Sequence, residues 1–232
     1  MARFESDLSD ESRGVLYDLD GSGDTAIIAF GGLWMRMGGL PPFEFFGQLD
    51  GVPSGLVFVR DLEQSWYQLG IRGAADDIRA SAKWLSDLLE THGIQRTICV
   101  GCSAGGFAAI VFGSLIGAAE IHAFGAQTTI DRWGLWRAHD TRWNKYLKPM
   151  RKRLGARQPI FDARSVLSTD APNPDIYVHW GTDEKRDGHH ALRLDGLPNV
   201  TLVPHSGVGH GDLTRALRDS GELRRLLLQS LE

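Results

Sequence analysis

Ser103 stands at the centre of Gly101-Cys102-Ser103-Ala104-Gly105, a segment with the spacing G-x-S-x-G. Glycines at these positions let neighbouring backbone pass close to a strained serine, whose hydroxyl is held clear of the surrounding chain. A short apolar strand is predicted directly before the motif at 97–100, and an apolar helix directly after it at 103–115. This strand–turn–helix context indicates a nucleophilic serine at a helix N-terminus rather than a plain glycine turn.

The elements that must position this serine alternate along the chain between short β-rich runs and amphipathic helices. Strands are predicted at 15–19, 25–30, 56–59, 97–100, 121–124, 176–180 and 200–203, and helices at 73–89, 103–115 and 213–231. Such alternation predicts an α/β fold, in which a mostly parallel sheet is covered by helices on both faces. The length of 232 residues fits a single domain over 1–232.

With these elements around Ser103, the chain resembles the α/β-hydrolase superfamily over nearly its whole length. The resemblance rests on the G-x-S-x-G segment and on the residues around Phe30, Asp183 and His210. It implies a catalytic triad in the chain order serine, acid, histidine, and an oxyanion hole built from backbone N–H groups.

The resemblance implies positions for the acid and the histidine. The superfamily histidine lies between the last strand and the closing helix, where His210 stands, whereas His205 is nearer the strand and is expected to pack or to position the loop. The acid follows the preceding strand shortly after a glycine, and Asp183 fits this place. Asp187 is the rival, but it also resembles the N-cap of a helix opening at Gly188. We therefore favour Asp183 and leave Asp187 open.

Two oxyanion donors are implied in the same way. One is the backbone N–H of Ala104, the residue after the nucleophile. The other comes from the loop after an early strand, where Phe30 stands in place of a common histidine and Gly31, Gly32 and Leu33 follow. Because the donor is a backbone group, the missing imidazole does not abolish the role. Gly32 and Leu33 both stay candidates.

The alternation of strands and helices breaks between residues 128 and about 171, which predicts an inserted helical cap. This segment holds ten Lys or Arg residues and few acids, in a chain of net charge −4. Trp133 and Trp136 within it, with Trp66 and Tyr67 after an earlier strand, are candidate substrate contacts because aromatic surfaces line apolar pockets. The alternatives are that tryptophans attach the cap to the core and that the basic residues form a solvated face.

Composition and spacing limit the partners and cofactors. The net charge of −4 gives no reason to expect nucleic acid or an anionic membrane, and no stretch approaches the roughly 18 apolar residues of a membrane span. The polar, acidic N-terminus lacks the pattern of a signal peptide, so we expect a cytoplasmic protein. His189 and His190, with the two candidate acids, lack metal-site spacing, so no metal or other cofactor is expected. Cys99 and Cys102 form a C-x-x-C, but Cys99 lies in an apolar strand rather than at a helix start, which disfavours a redox pair.

These features predict a serine hydrolase that cleaves a carboxylic ester or thioester of a small-molecule substrate through an acyl-Ser103 intermediate. An acyltransferase or thioesterase that acts on a CoA- or carrier-linked acyl group is the alternative that the basic cap motivates, since such groups are anionic. A non-catalytic binding module on the same fold is a further alternative. The presence of serine, acid and histidine candidates at suitable positions counts against it.

Overall fold

A computed structural model describes residues 4, 8–21, 23–34, 40–167 and 174–231 of the chain. Within them the strands are β1 (Val15–Asp18), β2 (Thr25–Phe30), β3 (Gly55–Val59), β4 (Arg96–Cys102), β5 (Glu120–Phe124), β6 (Asp175–Gly181) and β7 (Val200–His205). The helices are α1 (Ile78–Thr91), α2 (Ala104–Ile116), α3 (Arg132–Arg137), α4 (Asn144–Arg153), α5 (Lys185–Leu192), α6 (Leu213–Asp219) and α7 (Glu222–Gln229), and a 3-10 helix covers Ala163–Val166. Each predicted strand is present, with ends that differ by at most two residues.

One sheet contains all these strands in the order β1-β3-β2-β4-β5-β6-β7. Only the β1–β3 pair is antiparallel, and the other neighbouring pairs are parallel. Because parallel strands point the same way, the loops after β2 to β7 emerge at one edge of the sheet, where open α/β sheets bind ligands. The predicted fold class is confirmed. The edge at which the strands end, called the carboxyl edge, is where side chains from several loops can form one site.

Each face of the sheet has its own apolar core, because successive side chains of a strand point to opposite faces. Ile28 and Cys99 pack with residues of α1 and α2 on one face. Ile27 and Val100 pack with residues of α6 and α7 on the other. Strands buried on both sides must be apolar at consecutive positions, which explains the continuous apolar runs of β2 and β4.

Two helix predictions need correction. Helix α1 begins at Ile78 rather than near residue 73, because the Asp77 side chain caps it by accepting the Ala80 N–H at 2.8 Å. The closing helix predicted over 213–231 is two helices, since Gly221 takes a left-handed conformation with φ of 77° and interrupts it between α6 and α7. Among the helices of the described residues, none combines the length and apolar character that crossing a bilayer requires.

The predicted cap segment holds α3, α4 and the 3-10 helix between β5 and β6, and its end at 168–171 lies outside the described residues. Helix α4 is tied to the core by its buried Leu147 and Met150. Trp143, just before α4, packs edge-to-face on Trp66 with ring centroids 5.8 Å apart. At least one tryptophan, Trp143, therefore attaches the predicted cap to the core, which was the alternative to a role in binding substrate. That the segment covers Ser103 stays a prediction.

Candidate active site

Ser103 lies between β4 and α2 in a strained backbone conformation, with φ of 57° and ψ of −116°. Two backbone hydrogen bonds hold Ser103 there: its N–H donates to the carbonyl of Phe124 on β5 at 2.8 Å, and its carbonyl accepts from the Phe107 N–H at 3.1 Å. The flanking glycines are required by close approach. A Cβ on Gly105 would lie 2.1 Å from the Phe30 carbonyl, and one on Gly101 would lie 2.1 Å from the Gly105 carbonyl. Such strain persists only where the surroundings over-determine it, as they do at this turn.

The structure brings a histidine and a carboxylate into line with Ser103. His210, in the loop after β7, has Nε2 3.2 Å from Ser103 Oγ. Its Nδ1 lies 2.6 Å from Oδ2 of Asp187, which belongs to the first turn of α5 after β6. The Asp187 side chain is almost fully buried. A hydrogen bond to a buried carboxylate keeps the proton of a neutral imidazole on Nδ1 and leaves Nε2 free to accept one from the serine.

The preference for Asp183 as the partner of the histidine is corrected by this geometry. Asp183 is exposed in the turn after β6. Helix α5 begins at Lys185, earlier than expected, and its N-cap is Glu184. Asp187 is therefore not a cap. It sits within the first turn, where its side chain faces inward and accepts from His210.

His205 takes part in a different arrangement, the histidine ladder of His122, His179 and His205 on β5, β6 and β7. His205 Nε2 lies 3.1 Å from His179 Nδ1, and His179 Nε2 lies 3.1 Å from His122 Nδ1. At the far end, His122 Nε2 lies 2.7 Å from Oε1 of Glu120. Burial lowers the pKa of His179 to about 2, so this ring is neutral. His205 thus serves packing, while His210 faces Ser103.

An arginine of the cap segment binds the carboxylate that holds the histidine. Arg142 Nη2 donates to Asp187 Oδ1 at 3.0 Å and to Asp140 Oδ2 at 2.6 Å. Burial opposes ionisation of Asp140, but hydrogen bonds from His190 and Arg142 hold its pKa well below the usual range. Asp187 therefore accepts from His210 on one oxygen and from the largely buried guanidinium of Arg142 on the other, so both carboxylate oxygens are held in place. Sequence reasoning missed Arg142, because no local spacing relates it to Asp187.

A second missed residue is Gln127, which follows β5 at the carboxyl edge. Its Nε2 donates to Ser103 Oγ at 2.9 Å. Its Oε1 accepts from the indole N–H of Trp66 at 3.1 Å. The available signal was a polar side chain three residues after a buried strand, the position at which a parallel sheet presents its functional groups.

The expected oxyanion donors belong to the residue after Ser103 and to the loop after β2. Ala104 is the first residue of α2, so its N–H has no intrahelical acceptor. A Cβ on Gly32 would lie 3.6 Å from Ser103 Cβ, which puts the loop after β2 beside Ser103. The Gly32 N–H, however, lies near the buried carboxyl of Glu44 and partly offsets the burial that raises the pKa of that group. Leu33 carries the remaining N–H of the two candidates.

The aromatic candidates divide into two groups. Trp66 and Tyr67 are fully buried, so the expectation that they line a substrate pocket is corrected. Both side chains contact residues next to Ser103. The Tyr67 hydroxyl donates to the Gly31 carbonyl at 2.8 Å, and the Trp66 indole N–H donates to Gln127. Trp133 and Trp136 are 73% and 68% exposed and pack edge-to-face on each other.

A cavity of about 550 Å³ lies in the cap segment. Its walls combine apolar, polar and basic side chains: Arg132, Leu135, Trp136, His139, Asp140, Thr141, Asn144, Lys148 and Arg151. Among the described residues, no carboxylate forms an ion pair with Arg132, Lys148 or Arg151. Asp140 is itself bound by Arg142, which links this wall to Asp187. The nearby Arg153 differs, because it pairs with Glu63.

The remaining motifs show no chemistry of their own. Cys99 and Cys102 are free thiols, and burial raises the pKa of both, which disfavours the reactive thiolate. Over the described part of the chain, no three His, Cys, Asp or Glu side chains are grouped so as to hold a metal ion.

No protein-family model matches the chain, and no curated protein matches it by sequence. Solved structures do. A capsule O-acetyltransferase of Neisseria meningitidis serogroup A superposes with a TM-score of 0.63 at 13% identity, over 93% of this chain and 90% of that one. A thermostable carboxylesterase from a metagenomic library gives 0.57 at 17% identity, over 90% and 81%. A fluorophosphonate-binding serine hydrolase of Staphylococcus aureus gives 0.56 at 14% identity, over 89% and 83%.

The chain has the α/β-hydrolase fold. The resemblance seen in the sequence is thereby confirmed at the level of the superfamily fold. At identities of 13% to 17% these similarities concern the fold, and an α/β-hydrolase sheet supports several chemistries. The activity of this chain therefore depends on its own site residues rather than on the fold.

Proposed function

We propose that this chain is a serine hydrolase that cleaves a carboxylic ester or thioester through an acyl-Ser103 intermediate. One observation carries the proposal: the hydrogen-bonded line from Asp187 through His210 to Ser103, at the turn that strains the serine. Ordinary serines lack a base within hydrogen-bond reach. Here a buried carboxylate orients the imidazole, and the imidazole accepts from the hydroxyl.

The reaction follows from these contacts in two halves. In acylation, Ser103 Oγ bonds to the acyl carbon while its proton passes to His210 Nε2, which then gives that proton to the leaving alcohol or thiol. In deacylation, His210 takes a proton from water, the water oxygen bonds to the acyl carbon, the bond from that carbon to Ser103 Oγ breaks, and His210 returns the proton to Oγ. Asp187 remains ionised throughout and stabilises the imidazolium.

We assign the oxyanion donors to the backbone N–H groups of Leu33 and Ala104. Ala104 N–H opens a helix, whose N-terminus favours negative charge. Leu33 is preferred to Gly32 because the Gly32 N–H already interacts with the buried carboxyl of Glu44. A donor committed to a carboxylate is less able to bind the developing oxyanion.

The test is labelling and turnover of the wild-type protein and Ser103→Ala. We expect a fluorophosphonate probe to label the wild type rapidly and the variant not at all, and turnover of p-nitrophenyl acetate to fall by about a millionfold. Ser114→Ala, on the same helix with its hydroxyl bound to the Ile110 carbonyl, is the matched control and should behave as wild type. Failure of the wild type to label or turn over would leave the non-catalytic binding module as the better account.

A second candidate function is transfer or thioester cleavage of an acyl group carried by an anionic group such as CoA or phosphopantetheine. The cap cavity favours it, because Arg132, Lys148 and Arg151 surround the space without an ion-pair partner among the described residues. Uncompensated cations around a concavity attract phosphate groups. One protein of similar structure is named an O-acetyltransferase, so the fold is compatible with transfer to a hydroxyl as well as to water.

A further inference from the structure

The side chain of Gln127 lies fully buried between Trp66 and the nucleophile. It is the only described side chain besides His210 with a hydrogen bond to Ser103 Oγ. Neither the resemblance nor the triad chemistry accounts for a buried amide at this place. Any role of this amide in the reaction at Ser103 rests on the proposed function.

The chemistry of the neighbours determines how the amide is oriented. An indole N–H can only donate, so the group that faces Trp66 at 3.1 Å must be the oxygen, Oε1. The amide nitrogen then faces Ser103 Oγ at 2.9 Å and can only donate to it. The serine oxygen accepts from Gln127, and its own proton is directed to His210.

The indole is itself held by an unusual turn. Trp66 and Tyr67 both have positive φ, at 54° and 60°. The buried carboxylate of Asp61 stabilises the turn by accepting the backbone N–H groups of Ser65 at 2.6 Å and of Tyr67 at 2.9 Å. Strained backbone and a buried carboxylate thus aim one indole N–H at Gln127, and a feature that costs stability in this way calls for a function.

We propose that Gln127 is a catalytic hydrogen-bond donor that stabilises the negative charge on Ser103 Oγ as the acyl-enzyme breaks down. In that step the bond between the acyl carbon and Oγ breaks, the electron pair stays on Oγ, and a proton returns to Oγ from His210. The Nε2–H of Gln127 points at the atom that receives the charge.

The donor acts more strongly on deacylation than on acylation. In the free enzyme the serine hydroxyl already accepts from Gln127, so this hydrogen bond stabilises the ground state as well as the transition state. In the acyl-enzyme, Oγ is an ester oxygen, a poor acceptor because its lone pair is delocalised into the carbonyl. The hydrogen bond is regained only as Oγ departs, and only such differential stabilisation raises a rate.

The experiment compares Gln127→Glu and Gln127→Met with the wild type, using p-nitrophenyl acetate. Gln127→Glu, assayed at a pH at which the new carboxyl is ionised, keeps an acceptor for the Trp66 indole but has no donor for Ser103. Gln127→Met removes both at any pH. Hydrogen bonds to charged groups contribute about 1.5–3 kcal/mol, so we expect turnover to fall by about 10- to 100-fold in each variant. We also expect the fraction of acetylated enzyme, measured by intact-protein mass spectrometry during turnover, to rise.

Gln68→Met is the matched control. Gln68 is an equally buried amide that binds the Trp66 carbonyl and the Ile160 N–H but not Ser103. Its loss should lower the melting temperature without raising the acetylated fraction. If the Gln127 variants lose turnover with no rise in acetyl-enzyme, or keep wild-type turnover, the proposal is overturned while the proposed function stands. A wild type that neither labels with fluorophosphonate nor turns over would overturn the proposed function itself.

Discussion

At the scale of single residues, the proposed triad depends on where one carboxylate points. Asp183 and Asp187 are only four positions apart, yet one is exposed in a turn and the other is buried against His210 and Arg142. The buried position matters because an ion pair within a protein is screened far less than one at the surface. Asp187 can therefore hold the imidazole in one tautomer.

We predict that Asp187→Asn lowers turnover of p-nitrophenyl acetate by about ten-thousandfold, because an amide at this place can no longer favour the tautomer with its proton on Nδ1. Asp183→Asn, the matched control in an exposed turn, should retain turnover within about twofold, as surface substitutions usually perturb little. Steady-state kinetics of the two purified variants decide the matter. A larger loss of turnover in Asp183→Asn than in Asp187→Asn would instead identify Asp183 as the triad acid.

At the scale of elements, the histidine ladder links three neighbouring strands through their side chains. His122, His179 and His205 stack across β5, β6 and β7, with ring centroids 5.4 Å apart at each step. Glu120 at one end accepts from His122 Nε2, which leaves its Nδ1 as an acceptor for His179, and the same order repeats to His205. In this order His179 must accept on Nδ1, which only a neutral ring can do, so acid acts against the ladder at His179.

We predict that His179 lowers the stability of the protein in acid. Burial depresses its pKa from 6.5 to about 2 in the folded state, so below about pH 6.5 the unfolded chain binds more protons than the native one. Its stabilising contribution is full above pH 6.5 and is lost as the pH falls, by about 1.4 kcal/mol per pH unit, until about pH 2.

Urea unfolding of wild type and His179→Gln between pH 7.5 and pH 4.5 measures this contribution. The free energy of unfolding should fall more steeply with acidification in the wild type than in the variant. His92→Gln, at the end of α1 and outside the ladder, is the control and should keep the wild-type slope. Parallel curves for wild type and His179→Gln would contradict the prediction.

At the scale of the whole molecule, charge is unevenly distributed. The chain carries a net charge of −4, but the cap segment is basic, and three of its cations surround one cavity. Helix α4, which carries Lys148 and Arg151, also carries Lys152 and Arg153. These last two side chains do not line the cavity, and Arg153 is paired with Glu63. The structure therefore separates the basic residues that face a cavity from those that face solvent or an acid.

We predict that Arg132→Glu combined with Lys148→Glu raises KM for an acyl-CoA thioester by about tenfold, since two exposed charges contribute about 1–2 kcal/mol in total. KM for the neutral p-nitrophenyl acetate should not change. The effect on the thioester should shrink with added salt, because the screening length is only about 10 Å at 0.1 M.

Lys152→Glu is the matched control for this comparison. It reverses a charge on the same helix outside the cavity, and it should leave KM for both substrates unchanged. If the double variant changes KM equally for the two substrates, or changes neither, the basic residues form only a solvated face. An anionic substrate would then not be supported.

The amino-acid sequence by itself determined the features that depend on short-range patterns. Continuous apolar runs identified the central strands β2, β3 and β4, because buried parallel strands must be apolar on both faces. Glycine spacing identified the turn at Ser103, because only glycine tolerates backbone approach as close as 2.1 Å to its Cβ position. Chain order then selected His210, and local composition marked the basic cap segment.

Only the tertiary structure decided which distant side chains converge on Ser103. Asp187 replaced Asp183 because α5 begins at Lys185, and the start of a short helix is weakly encoded. Arg142 and Gln127 reach the site from the connection between β5 and β6. Their contacts with Asp187 and Ser103 depend on the order of the strands in the sheet rather than on spacing along the chain. Trp66, a candidate substrate contact in the sequence-based prediction, is fully buried, because a positive-φ turn directs its indole inward to Gln127.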